Sequence, residues 1–185
     1  MNEIFEQKKG EGIGLSVDDF LRRFGEICIT KPSTKFALIL YDFDSPLKKL
    51  LRERGAFAAI DRLSAERLTV FYLHSTKKRD HQRLKKFSAS HFGPDTINTL
   101  PCIIFFSVLD AGVSDVIVSE LQASESSIAF HEIYQLIEAY ANSSVDAVKQ
   151  EASKSIGRSL SSAGKTVLTE SLRILVRDAL AHFHL

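Results

Sequence analysis

The stretch Leu100-Pro101-Cys102-Ile103-Ile104-Phe105-Phe106 constrains this chain more than any other. A proline stands directly before an unbroken apolar run, with a loop ahead of it and the turn signal Asp110-Ala111-Gly112 behind. Proline has no N–H to give to a ladder, so it belongs at the first position of a strand rather than inside one. Apolar residues without polar alternation read as a strand covered on both faces. A sheet covered on both faces needs helices on each side of it.

The rest of the sequence supplies both. Phe36 to Phe43 and Leu68 to Leu73 are two further apolar runs of strand length, and Asp115 to Leu121 alternates as an edge strand does. Ser16 is placed to cap a first helix, with Asp18 and Asp19 in its first turn and Phe20, Leu21 and Phe24 at helical spacing; Gly25 is expected to stop it. Pro46 opens a second helix carrying Leu47, Leu50, Leu51, Phe57 and Ile60, with Gly55 as a bend or break. Lys77 to Phe92 reads as a basic helix with Leu84 and Phe87 inward, and Phe130 to Ala141 as an amphipathic one. The order is strand, helix, strand, helix, strand, helix, strand, strand, helix. Helices join the parallel neighbours and a hairpin joins the last two strands, which defines an α/β chain with a mixed sheet flanked by helices.

That order, over residues 12–142, resembles the thioredoxin fold. Leu15 to Phe20 looks like its opening strand and helix start, and Leu100-Pro101 like its cis-proline site. Tyr41-Asp42-Phe43-Asp44-Ser45-Pro46-Leu47-Lys48 looks like the strand and loop that lead into Cys-x-Pro-Cys-Lys. Asp44 then stands where the nucleophilic cysteine would be and Leu47 where the resolving one would be. Thiol–disulfide exchange needs a thiolate to attack and a second thiol to release the mixed disulfide, and neither residue can serve. The resemblance therefore implies a thioredoxin-like domain without Cys-x-x-Cys chemistry. It also implies a groove for an extended peptide or protein segment at Asp44, Ser45, Pro46, Leu100 and Pro101.

Two other sites compete. Cys102 is the remaining thiol beside that loop and the candidate for a single-cysteine peroxidase or transferase; the alternative is a core residue, since a thiol packs as a small hydrophobe. Cys28, between Ile27 and Ile29, reads as core. Lys77, Lys78, Arg79, Arg83, Lys85 and Lys86 form the densest basic run and could hold phosphates. A formal net charge of +1 favours a solvated helix face and weighs against nucleic acid. Ser161 to Thr166 ends like a P-loop, but Ser159 replaces the first glycine and no strand precedes it. Asp42 and Asp44 lack further oxygen ligands, no serine sits in a nucleophile elbow, and none of the six histidines pairs with a cysteine or carboxylate at recognised metal-ligand spacing. No metal and no cofactor is expected.

Residues 1–11 are charged and glycine-bearing, and read as a flexible N-terminus without a signal-peptide core. With two cysteines and no apolar run of membrane length, the expected location is the cytoplasm. Residues 143–185 form a serine-rich tether and an amphipathic helix, added to the C-terminal side of the thioredoxin-like part. Leu168, Leu172, Leu175, Val176, Leu180 and Phe183 share one face of that helix with Ala179. Covering such a stripe is worth on the order of 5–10 kcal/mol before ordering costs. Two coverings stay open: the chain's own domain, or a partner, including a second copy in a homodimer.

Overall fold

Three apolar runs of the sequence become the middle of one sheet. A computed structural model describes residues 2–6, 14–15, 17–30, 33–41, 47, 54–64, 67–75, 86–87, 89–92, 101–121, 126–142 and 162–183. The strands are β1 (Asn2–Glu6), β2 (Gly14–Leu15), β3 (Ser33–Leu40), β4 (Thr69–Ser75), β5 (Cys102–Leu109) and β6 (Gly112–Glu120). The long helices are α1 (Val17–Thr30), α2 (Arg54–Ser64), α3 (Ser126–Asn142) and α4 (Ser162–Phe183); residues 86–87 and 89–92 are also helical. The sheet order is β2-β1-β4-β3-β5-β6. β3 runs parallel to β4, and every other pair is antiparallel. The expected α/β chain, with a mixed sheet flanked by helices, is what forms.

Alternation along the strands sorts side chains into two cores. Phe36, Leu38, Leu40, Phe71, Cys102, Ile104 and Phe106 meet α1, α4 and the 86–92 stretch on one face. Ala37, Ile39, Val70, Tyr72, Ile103 and Phe105 meet α2 and α3 on the other. The first core is rich in phenylalanine. Phe24 lies edge-on to Phe36, Phe71 and Phe106 at centroid distances of 4.7–6.2 Å, and Phe20 does the same to Phe71 and Phe87 at 5.0 and 6.1 Å. Edge-to-face contacts of this kind add to plain burial.

The C-terminal helix resolves the two coverings left open by its sequence. Leu168, Leu172, Leu175, Val176 and Ala179 are buried in the first core, and Leu180 packs partly against it. The face read as a candidate docking or homodimer surface is therefore covered by the chain's own α1 and sheet. Phe183 ends the helix. Gly25 also corrects the sequence reading. It does not stop α1, which continues to Thr30. A Cβ at Gly25 would lie 2.3 Å from the Ala179 carbonyl oxygen, so the glycine marks where α1 and α4 touch backbone to backbone.

Two more differences concern the sheet's ends. Residues 1–11, expected to be flexible, contain β1, which pairs with β4 from Asn2↔Ser75 to Glu6↔Phe71. The Leu15 strand is thus the sheet's outermost, reached through β1. At the opposite edge, β6 bulges: Phe105 pairs with Ile117 but Ser107 with Ser114, and Asp115 takes a φ of 56°. The bulge and its carboxylate interrupt an otherwise open edge.

Candidate binding site at the Pro101 strand end

The antiparallel register of β3 and β5 sets Leu40 opposite Cys102. The next residue of each segment toward the loops is Tyr41 on one side and Pro101 on the other. Tyr41 and Pro101 therefore lie at the same end of the sheet. Pro101 is half-buried and its carbonyl accepts a hydrogen bond from Leu121 N–H at 2.8 Å, which ties the end of β6 to the same corner. Tyr41 and Leu47, on either side of the first loop, are both buried. Asp44, Ser45, Pro46 and Leu100 lie outside the described residues.

Cys102 is wholly buried in the first core, and Glu120 sits opposite it in the ladder. A thiol with no exposed surface does not meet a peroxide or disulfide in this conformation. The geometry thus favours the core reading over the single-cysteine enzyme. Cys28 is half-buried beside the same core, and burial pushes its thiol up to about 12. It is a poor thiolate source at neutral pH. The two cysteines form no disulfide. Of the basic run, Lys86 is exposed; Lys77, Lys78, Arg79, Arg83 and Lys85 lie outside the described residues. Gly164 and Lys165 fall in the first turn of α4.

Sequence reasoning missed two polar features. Ser119, opposite Ile103, is buried, and its hydroxyl has no hydrogen-bond partner among the described residues. Such a group costs about 1–3 kcal/mol, and a serine within Val116-Ile117-Val118-Ser119 gives no sign of it. The second feature lies at the far end of the sheet. Lys35 Nζ donates to the Tyr140 carbonyl at 3.2 Å and sits 5.2 Å from the centre of its ring, while the Tyr140 hydroxyl meets Ser107 Oγ at 3.1 Å. Burial pushes the Tyr140 hydroxyl up to about 12; the Asp115 carboxylate also raises it and the Ser107 bond lowers it. The arrangement anchors the last turn of α3 to β3 and β5.

Among the described residues no three histidine, cysteine or carboxylate side chains gather to hold a metal, and no helix is long and apolar enough to cross a membrane. Compared with known proteins, the chain matches no family model, no curated sequence and no solved structure.

Proposed function

We propose that this chain is a thioredoxin-like recognition module that binds an extended peptide or protein segment and carries out no thiol chemistry. The observation that carries the reading is the β3–β5 register, Leu40 opposite Cys102. It brings Tyr41 and Pro101, the described flanks of the two segments, to one end of the sheet, where the resemblance implies a groove. The chain order of strands and helices supports it, with β3 and β4 parallel and β5–β6 a hairpin. The missing cysteines at positions 44 and 47 and the burial of Cys102 argue for recognition rather than redox catalysis. Two cysteines without a disulfide suit a reducing cytoplasm.

The test is a random-peptide library displayed on phage and selected on the full chain, followed by binding measurements with the enriched peptides. Ser45→Arg and Leu100→Arg should each weaken those peptides by more than about tenfold, a loss of about 1.4 kcal/mol, with the circular-dichroism spectrum unchanged. Lys86→Glu should leave them bound. Peptides that bind both variants as well as the parent would remove the groove, and peptides lost on Lys86→Glu alone would move the site to the basic run.

A further inference from the structure

His91 joins the 86–92 stretch to α4, and each of its ring nitrogens faces an acceptor. The side chain is 14% exposed, and its ring packs on Phe87 with centroids 4.4 Å apart. Nδ1 lies 2.9 Å from the Phe87 carbonyl oxygen, one helical turn back. Nε2 lies 3.4 Å from Asp178 Oδ2 in α4. A neutral imidazole has one N–H and one lone pair, so either tautomer turns its lone pair toward an oxygen that only accepts. The imidazolium ring, with a proton on both nitrogens, satisfies the two contacts at once. The shorter bond keeps its proton on Nδ1, so Nε2 is where a proton comes and goes.

Among the described residues, Asp178 is the group that answers this proton. In α4, Arg177 Nε approaches the other oxygen, Oδ1, at 3.9 Å and leaves Oδ2 to His91. Within the stretch itself, Lys86 is exposed. α1 reaches the stretch through Phe20 against Phe87; its Arg23 and Glu26 pair with one another, and its Arg22 is exposed. Around this core the described parts of α1 and the sheet add only the Cys28 and Cys102 thiols as further titratable groups. Phe87 and Phe92, on either side of His91, are buried in the first core that α4 helps to build. Losing the contact therefore acts on how those two elements are held together.

We infer that His91 is a proton-operated latch between the 86–92 stretch and α4. With both nitrogens protonated it bridges the Phe87 carbonyl and the Asp178 carboxylate. Without the Nε2 proton a lone pair meets the carboxylate and the bridge is lost. Its contribution to stability is therefore present on the acid side and disappears as pH rises. The latch is independent of the peptide-groove reading. A double-mutant cycle on the full chain tests it, with urea unfolding of the parent, His91→Ala, Asp178→Ala and the double variant. The cycle is run at about pH 5.5 and about pH 8.5, on either side of the range in which histidines change charge. Because the Asp178 side chain is 41% exposed, the coupling expected at the lower pH is about two- to fivefold in the folding equilibrium constant. It should vanish at the higher pH. Proton–nitrogen correlation spectra of the imidazoles read the parent chain directly and keep the test valid if a variant unfolds. His91 should carry protons on both nitrogens at the lower pH and on Nδ1 alone at the higher. Coupling of equal size at both pH values, or none at either, overturns the latch, as does a proton found on Nε2 alone at the higher pH.

Discussion

Cys28 and Tyr140 make the folded chain sensitive to alkali in a direction set by burial. Both groups are held neutral in the fold up to about 12, against ordinary values of 9.0 and 10.0. In the unfolded chain they ionise first. Their contribution to stability is therefore complete below pH 9 and is lost as pH rises from 9 toward 12. Urea midpoints measured between pH 7 and 11 should fall across the upper part of that range. Tyr140→Phe should flatten the fall above pH 10, while costing about 1 kcal/mol at neutral pH because Ser107 loses its partner. A midpoint that stays level to pH 11 would remove burial as the cause. At pH 8, Cys28 should also react with iodoacetamide far more slowly than a small free thiol. Cys28 was legible as core from its apolar flanks, yet Ile29 beside it is 44% exposed. Neighbours in a helix point in different directions, so flanking apolarity alone does not place a side chain.

Gly25 is the clearest case of an element read correctly in kind and wrongly in extent. Glycine ends helices because it relieves strain, and it also sits where two helices approach too closely for a Cβ; one sequence cannot separate these uses. Here the second applies, and the substitution has opposite signs under the two accounts. By helix propensity alone, Gly25→Ala would stabilise by about 1 kcal/mol. Against the Ala179 carbonyl it should destabilise by about 1–3 kcal/mol, the cost of overpacking. Chemical denaturation decides between them. The β5–β6 hairpin gives a contrasting case. Its turn was legible, but its type was not: Asp110 and Ala111 both take positive φ, 48° and 61°, as a two-residue hairpin of the primed type requires. Alanine is strained there by about 1–2 kcal/mol. Ala111→Gly should therefore raise the melting temperature, with a gain of about 1 kcal/mol. A drop would mean that the methyl group makes contacts worth more than the strain.

At the scale of the whole molecule, the apolar runs fixed the inner strands because a doubly covered strand has few other readings. Two parts escaped. β1 is short and charged, Asn-Glu-Ile-Phe-Glu, and its place depends on the open edge of β4 rather than on its own pattern. The apolar stripe of α4 was plain, but a stripe says how much must be covered and not by what. The proposed groove is legible only through its two flanks, since its loop residues lie outside those described. Since α4 closes the first core, a chain ending at residue 161 should lose its rigid packing and bind the dye ANS, with near-ultraviolet dichroism reduced. A truncated chain that keeps the parent's near-ultraviolet spectrum would show that α4 is dispensable.

The same closure bears on how the protein is made. Every described strand and the other described helices leave the ribosome before α4 exists, so the phenylalanine-rich core is only partly covered, by α1 and the 86–92 stretch, while residues 162–183 are still being added. During that interval the nascent chain presents a broad sticky surface, which is the kind of surface that holds folding intermediates and invites chaperones. Synthesis that stalls before Leu168 leaves a product whose first core lacks the α4 side chains that complete it.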